Sequence, residues 1–206
     1  MQTIPMEQWP RKELFDFFSR VSQPFYSVTF VLDVTDLSRY VKARGLSFYH
    51  ALIYLSAEAL DRVEAFRYAL REGELVLLKR RVPSFTDLRP GSQQFHIVTL
   101  PRGDSLEDFC RAAREKSRSQ TAFLDQSGET GDLIYYSCLP WLELTALTNE
   151  RDFDPDDTVP RLSWGKFTEE QGRRKLHLSM EVNHRFIDGF HIGQFQEELL
   201  RLMAAL

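Results

Sequence analysis

Near its C-terminal end the chain places Leu176, Leu178, Met180 and Val182 at every second position of the run KLHLSMEV. His177, Ser179 and Glu181 fall between them. A period of two fits a β-strand with one apolar and one wetter face, and it does not fit a helix, whose period is 3.6. The run leads into EVNHRFIDGFHIGQF, where His184 and Asp188-Gly189 precede a stretch carrying Ile192, Phe195, Leu199 and Leu202 at helical spacing. A one-sided strand must cover its apolar face, so the remaining sequence has to supply a sheet and helices that lie on it.

The rest of the chain does so. QWPRKELFDFFSRV predicts a first helix, with Pro10 in its first turn and Leu14, Phe17, Phe18 and Val21 as its apolar stripe. FYSVTFVLDV, rich in β-branched and aromatic residues, predicts a strand. TDLSRYVKA predicts a short helix capped by Thr35 or Asp36, with Gly45 just beyond its end. SFYHALIYLSAEALDRV, capped by Ser47, is apolar over most of its surface and is expected to be buried. FRYALREGELVLLKRR has the form of a hairpin turning at Glu72-Gly73. FHIVTL predicts a strand, and DSLEDFCRAAREKSRSQTAFL a helix capped by Asp104 or Ser105. Its inner face carries Leu106, Phe109, Ala113 and Ser117. DLIYYSCL, WLELTAL and LSWGKFT predict further strands, and Asn149–Pro160 an acidic loop. The expected fold is α/β: a two-layer sandwich with a mostly antiparallel mixed sheet, in one domain spanning residues 1–206.

Composition removes several classes of function. Among 206 residues, 26 basic and 30 acidic side chains give a formal net charge of −4. Nucleic-acid binding needs a clustered basic surface. The densest basic run, LKRRVP, is short and is expected to decorate a hairpin. Apolar residues at 43% and aromatics at 13%, including 16 Phe, suffice for a large core. Two cysteines, Cys110 and Cys138, make neither a disulfide framework nor a metal-ligand pattern, which favours a reducing, cytoplasmic setting. MQTIPMEQWPRKELF lacks the basic-then-apolar pattern of a signal peptide. No apolar stretch approaches the roughly 20 residues that span a bilayer. No nucleic-acid or membrane partner is expected.

The spacing His184-x-x-x-Asp188-Gly189 suits a base. A histidine at a strand end can aim a ring nitrogen into a cleft, and its near-neutral pKa suits removal of a hydroxyl proton. An acid one turn later can fix the loop that holds the ring, and glycine permits the turn into the helix. The same spacing also fits a surface histidine beside an N-capping Asp188.

A wider pattern extends beyond these residues. His184-Arg-Phe-Ile-Asp188-Gly-Phe-His191 resembles the signature of chloramphenicol acetyltransferases, CoA-dependent O-acyltransferases, and WPRKELFDFF is similar to that family's opening. SFYHALIYL, FRYALREGELVLL, SCLPWLELT and LSWGKF resemble further family segments in the same order, so the resemblance covers essentially the whole chain. It implies the CoA-dependent acyltransferase fold, acetyl-CoA as co-substrate with no metal, and transfer to a hydroxyl of chloramphenicol or a similar small molecule. It implies His184 as the general base for direct attack of that hydroxyl on the thioester, with no acyl-enzyme. It also implies that Asp188 pairs with Arg11 as a buried ion pair under the histidine loop. Phe18, Phe25 and Tyr26 match the region lining the acceptor pocket, and Lys166 falls where the family meets CoA. The implied assembly is a homotrimer, with His184 facing an acceptor pocket on the neighbouring subunit.

Two positions depart from the family. Asn183 stands where a second histidine usually precedes the base, on the other side of the strand. Ala146 stands where a serine hydroxyl stabilises the tetrahedral oxyanion, and Thr145 beside it is expected to face the opposite way on a strand. Loss of one such donor typically costs roughly 10²–10³ in turnover. Two other assignments share parts of the pattern. NHRFIDG is close to the His-Arg-x-x-Asp-Gly signature of 2-oxo acid dehydrogenase acyltransferase catalytic domains. Ala146 is what a degenerate, non-catalytic paralogue that binds CoA or a small molecule would show.

Overall fold

The computed structural model describes residues 1–89, 91–125, 128, 130–152 and 154–206. In chain order its main elements are β1 (Gln2–Thr3), α1 (Lys12–Phe18), β2 (Phe25–Asp33), α2 (Thr35–Arg44), α3 (Phe48–Arg62), β3 (Tyr68–Arg71) and β4 (Glu74–Leu77). There follow β5 (Val82–Leu88), β6 (Phe95–Thr99), α4 (Leu106–Ser119), β7 (Leu133–Leu139), β8 (Arg161–Gly165), β9 (Thr168–Glu170), β10 (Arg173–Asn183) and α5 (Gly189–Ala204).

Seven strands make one sheet in the order β2-β10-β8-β7-β5-β6, with β9 pairing to β10. The β5–β7 and β7–β8 pairs are parallel and the others antiparallel. A small sheet, β1-β4-β3, stands apart and was not expected from the sequence at β1. The helices α3, α4 and α5 pack on one another and on strands β5, β6, β7 and β2. This is the mixed α/β sandwich that the alternating run demanded.

Leu176, Leu178, Met180 and Val182 of β10 are fully buried against that helical layer. Each such side chain contributes roughly 1.5–3 kcal/mol by leaving water. The opposite face is polar yet also covered at its C-terminal end. There Arg151 Nε bonds Glu181 Oε1 at 2.7 Å, and Asn183 Nδ2 donates to the carbonyls of Pro155 and Asp157 at 2.8 and 3.0 Å. The acidic loop 149–160 is thus fastened to the polar face of β10; Phe153 of that loop lies outside the described residues. Helix α3 is buried around most of its circumference, and Ser47 caps it by accepting the His50 N–H. Ser105 caps α4. Glu72 and Gly73 both take positive φ at the β3–β4 turn, as a two-residue hairpin requires.

Several local expectations are corrected. WLELTAL is irregular and pairs with no strand; it folds back so that Lys166 N–H donates to Leu142 O at 2.8 Å. Gly165 permits that approach, since a Cβ there would lie 2.2 Å from the Leu142 carbonyl oxygen. LSWGKFT is interrupted at the same point, giving β8 and β9. The start of α2 is held by Asp33, whose carboxylate accepts the Thr35 N–H and hydroxyl at 3.1 and 2.6 Å. Arg81 of LKRRVP is buried and donates to the carbonyls of Phe66, Tyr68 and Leu133, so only part of that run decorates a surface. The stripe of α1 stays outside, with Leu14, Phe17 and Val21 exposed, and in α5 Met203 is buried more deeply than Leu202.

Candidate active site

His184 is the first residue beyond β10, and its N–H donates to Pro24 O at 2.7 Å just before β2 begins. The ring is held between two aromatic rings. Phe18 stacks on it with centroids 3.9 Å apart and planes at 23°, and Tyr26 lies on it at 4.4 Å and 37°. Among the described residues neither ring nitrogen has a hydrogen-bond partner within the chain.

Arg11 determines the shape of the loop that carries this ring. Its Nη2 donates to His184 O at 3.1 Å and its Nε to Arg185 O at 3.2 Å. Its Nη1 meets Asp188 Oδ2 at 2.5 Å. One rigid, planar cation therefore ties two loop carbonyls and a carboxylate together, a geometry that lysine cannot reproduce. Asp188 also caps α5, with Oδ1 accepting the Phe190 N–H at 3.0 Å, while His191 Nδ1 accepts the Asp188 N–H. The ion pair and the helix cap are the same residue doing both jobs. The pair is partly buried in the protomer, with the Asp188 side chain 30% exposed.

The electrostatics follow from this packing. Burial pushes the His184 pKa below its ordinary value and the Arg11 charge pushes it further, against a smaller opposite pull from Asp188. The imidazole is therefore neutral near pH 7, the form that accepts a proton. Burial works against the Asp188 charge, but the Arg11 hydrogen bond and charge, with His191 and the Phe190 N–H, hold its carboxyl below the usual range. Tyr26 is pushed up to about 12 by burial and by Asp188, so it stays a neutral phenol. Burial also raises the Cys138 thiol to about 12, which leaves it a poor nucleophile.

Of the residues singled out from the sequence, Arg11, Phe18, Tyr26, His184 and Asp188 come together. Phe25 does not join them, because adjacent strand residues face opposite sides. Its ring lies under the Arg151 guanidinium, 3.6 Å from Cζ to centroid. Lys166 stands apart, half exposed, with Nζ 3.6 Å from Glu143. Ala146 and Thr145 are both exposed in an irregular segment, so strand parity does not separate them.

A cavity of about 900 Å³ lies elsewhere, and His184 is not among its described lining residues. It opens along β5 and β7, walled by Phe85, Phe95, Phe123, Tyr135 and Trp141, with His50 and Asp87 among its lining residues. Sequence reasoning missed it. Its residues come from seven separate segments, and only His50, a polar residue within a buried apolar helix, offered a signal.

The sandwich and the histidine corner together define an acyltransferase fold. Solved structures place it more closely: one titled chloramphenicol acetyltransferase superposes with a TM-score of 0.89 at 25% identity, covering 98% of this chain and 99% of the other. A dihydrolipoamide acetyltransferase of Azotobacter vinelandii gives 0.70 at 21% identity over 93% and 86%, a likeness of fold alone. The family model described as chloramphenicol acetyltransferase matches residues 1–200. Chloramphenicol acetyltransferase 3 of Escherichia coli is 27% identical over 96% of this chain and 94% of its own length. A chloramphenicol acetyltransferase of Streptomyces acrimycini is 29% identical over 98% and 93%. The chain belongs to the chloramphenicol acetyltransferase family, and is an acyltransferase of the class that uses acetyl-CoA as co-substrate. Among the described residues no helix is long and apolar enough to cross a membrane, and no cluster of His, Cys, Asp and Glu has metal-ligating geometry.

Proposed function

We propose that this single-domain chain acts in the cytoplasm as an O-acetyltransferase for chloramphenicol or a small hydroxyl compound like it, with a role in antibiotic resistance. His184 takes the proton from the acceptor hydroxyl while its oxygen attacks the thioester carbonyl of acetyl-CoA. Collapse of the tetrahedral intermediate breaks the C–S bond, and the departing thiolate takes from His184 the proton that came from the acceptor hydroxyl. The observation that carries this reading is the His184 ring itself, stacked between Phe18 and Tyr26 with Arg11 bonded to its own carbonyl. A fixed, neutral imidazole with unengaged ring nitrogens is what general-base catalysis requires. Asp188 and Arg11 are positioning residues for that loop, Phe18 and Tyr26 contribute to the acceptor side, and Lys166 meets CoA.

The base and the cavity lie on different parts of the protomer, which supports a site shared between copies. Exposed Phe17 and Phe190 flank the His184 corner, and exposed Phe95, Phe123 and Trp141 rim the cavity. A head-to-tail contact that seats one copy's histidine at its neighbour's cavity closes into a ring, here a homotrimer. The 900 Å³ cavity is then the acceptor site. Thiol release from acetyl-CoA, measured against chloramphenicol and a panel of small alcohols, tests the activity. Light scattering should give three times the 24.1 kDa chain mass. A monomer at micromolar concentration that still turns over acetyl-CoA would contradict the shared site.

A further inference from the structure

The floor of the large cavity carries a polar group that acetyl transfer does not use. Asp87, on β5, presents a partly exposed carboxylate to a space walled mainly by aromatic rings. Its Oδ1 accepts the Leu88 N–H at 2.9 Å. Ser117 of α4 favours the charged form of the carboxylate and is itself bonded to His96 Nε2 at 3.1 Å. His50 Nε2 lies 3.7 Å from Asp87 Oδ2, a charge contact rather than a hydrogen bond. Burial opposes the Asp87 charge, yet His50, Ser117 and the Leu88 N–H outweigh it and hold the carboxyl below its ordinary range.

His50 forms part of the wall beside Asp87. Its side chain is 6% exposed and its Nδ1 is buried with no hydrogen-bond partner among the described residues. With the ring proton on Nε2, toward the carboxylate, Nδ1 is left as an acceptor. That nitrogen is shielded from the cavity, so the face His50 offers beside Asp87 is its Nε2 edge. The other charges among the described lining residues leave the Asp87 carboxylate without a cation of its own. Glu150 is a second carboxylate. Arg161 is engaged by Asp157 Oδ2 at 2.8 Å and by Val159 O at 3.2 Å.

We infer that the cavity selects an acceptor bearing a protonated amine besides the hydroxyl that is acylated, an aromatic amino alcohol, and that Asp87 is the residue that reads it. An ammonium offers three donors and no acceptor, matching the acceptor-only Asp87 carboxylate. The aromatic walls favour a cation over their faces and suit an aryl group beside it. A neutral ligand would cover the Asp87 charge without replacing its lost hydration. This inference rests on the proposed role of the cavity as acceptor site.

The test compares 2-amino-1-phenylpropane-1,3-diol with 1-phenylpropane-1,3-diol near pH 7, by calorimetric binding and then as acetyl acceptors, using the parent protein and Asp87→Asn. The parent should bind the amine at least about 10-fold more tightly, as charge-assisted hydrogen bonds allow. Asp87→Asn should shrink that ratio to about twofold, through KM with little change in kcat, while the neutral diol binds as before. Equal affinities in the parent, a preference that survives Asp87→Asn, or failure of both compounds to bind would each overturn the inference. The parent's ratio decides even where the variant folds poorly. A strong amine preference in binding without acetyl transfer to either compound would retire the acetyltransferase reading and keep the charge selection. Transfer to both with equal KM would do the reverse.

Discussion

The corner at His184 and the segment from Pro140 to Thr148 both carry residues of the proposed site, and they are built in opposite ways. At the corner, a strand end, a helix cap and an arginine from the far end of the chain converge, so the imidazole has rings on both faces and its own carbonyl engaged. The other segment has no strand partner, rests on the Lys166 N–H contact to Leu142, and exposes Trp141, Leu142, Thr145 and Ala146. A group that must present a lone pair at a fixed angle needs the first kind of construction. A segment that gains its surroundings only from a ligand or a second copy can be of the second kind, because its ordering is supplied on association.

The sharpest way to break this comparison is at the base. His184→Ala should lower acetyl transfer by about 10²–10⁴-fold while the circular dichroism spectrum and melting temperature stay close to the parent's. Activity within a few-fold of the parent would remove the histidine corner from the mechanism.

On the looser side, Ala146→Ser restores a hydroxyl at the family's oxyanion position. Chloramphenicol acetylation should rise by up to about 10²-fold if that hydroxyl aligns. No gain in an already fast enzyme, paired with a loss in Thr145→Ala, would show that the neighbouring hydroxyl has taken over the role. Steady-state kinetics of the two variants separate these cases.

Arg11 and Asp188 test how firmly the corner is held. Removing one partner of a fully buried pair typically costs about 3–5 kcal/mol; with Asp188 30% exposed, a coupling energy of about 2 kcal/mol is expected from a double-mutant cycle. Simple additivity in chemical denaturation would mean that the contact contributes nothing to the loop.

The smallest effect is in pH. His184 works as a base only when neutral, and both burial and Arg11 depress its pKa. Activity should therefore be retained as pH falls through about 6.5, the ordinary histidine value, and lost only below it. Removing the cation in Arg11→Met should move the acid limb of kcat/KM upward. An acid limb above 6.5 in the parent would contradict the surroundings described for this ring.

Much of the architecture could be read from neighbouring residues alone. The period of two in β10, the continuous apolar surface of α3, the Ser47 and Ser105 caps and the Glu72-Gly73 turn are local preferences that the fold kept. The histidine-to-glycine spacing and the ordered family segments pointed to the corner before any contact was known. Strand β5 went unread because Pro83 argues against a central strand. It is tolerated at the second residue, before pairing with β6 begins at Ser84, and its carbonyl still accepts from Leu100 N–H. WLELTAL misled in the other direction, since alternation makes a strand only where a neighbour offers a free edge.

What the sequence by itself determined is most of the elements (though not β1 or β5), the acyltransferase fold and the residues proposed for the corner, because periodicity, caps and motif spacing are encoded within short windows. The tertiary structure alone decided that Phe18 and Tyr26 close on His184 while Phe25 turns to Arg151, that the Arg11 guanidinium reaches His184, Arg185 and Asp188 at once, and that His50 and Asp87 meet on the floor of a cavity. These contacts join residues as much as 177 positions apart. They exist only after the sheet has set strand order and each side chain has found the one neighbour that satisfies its charge, ring or hydrogen bond.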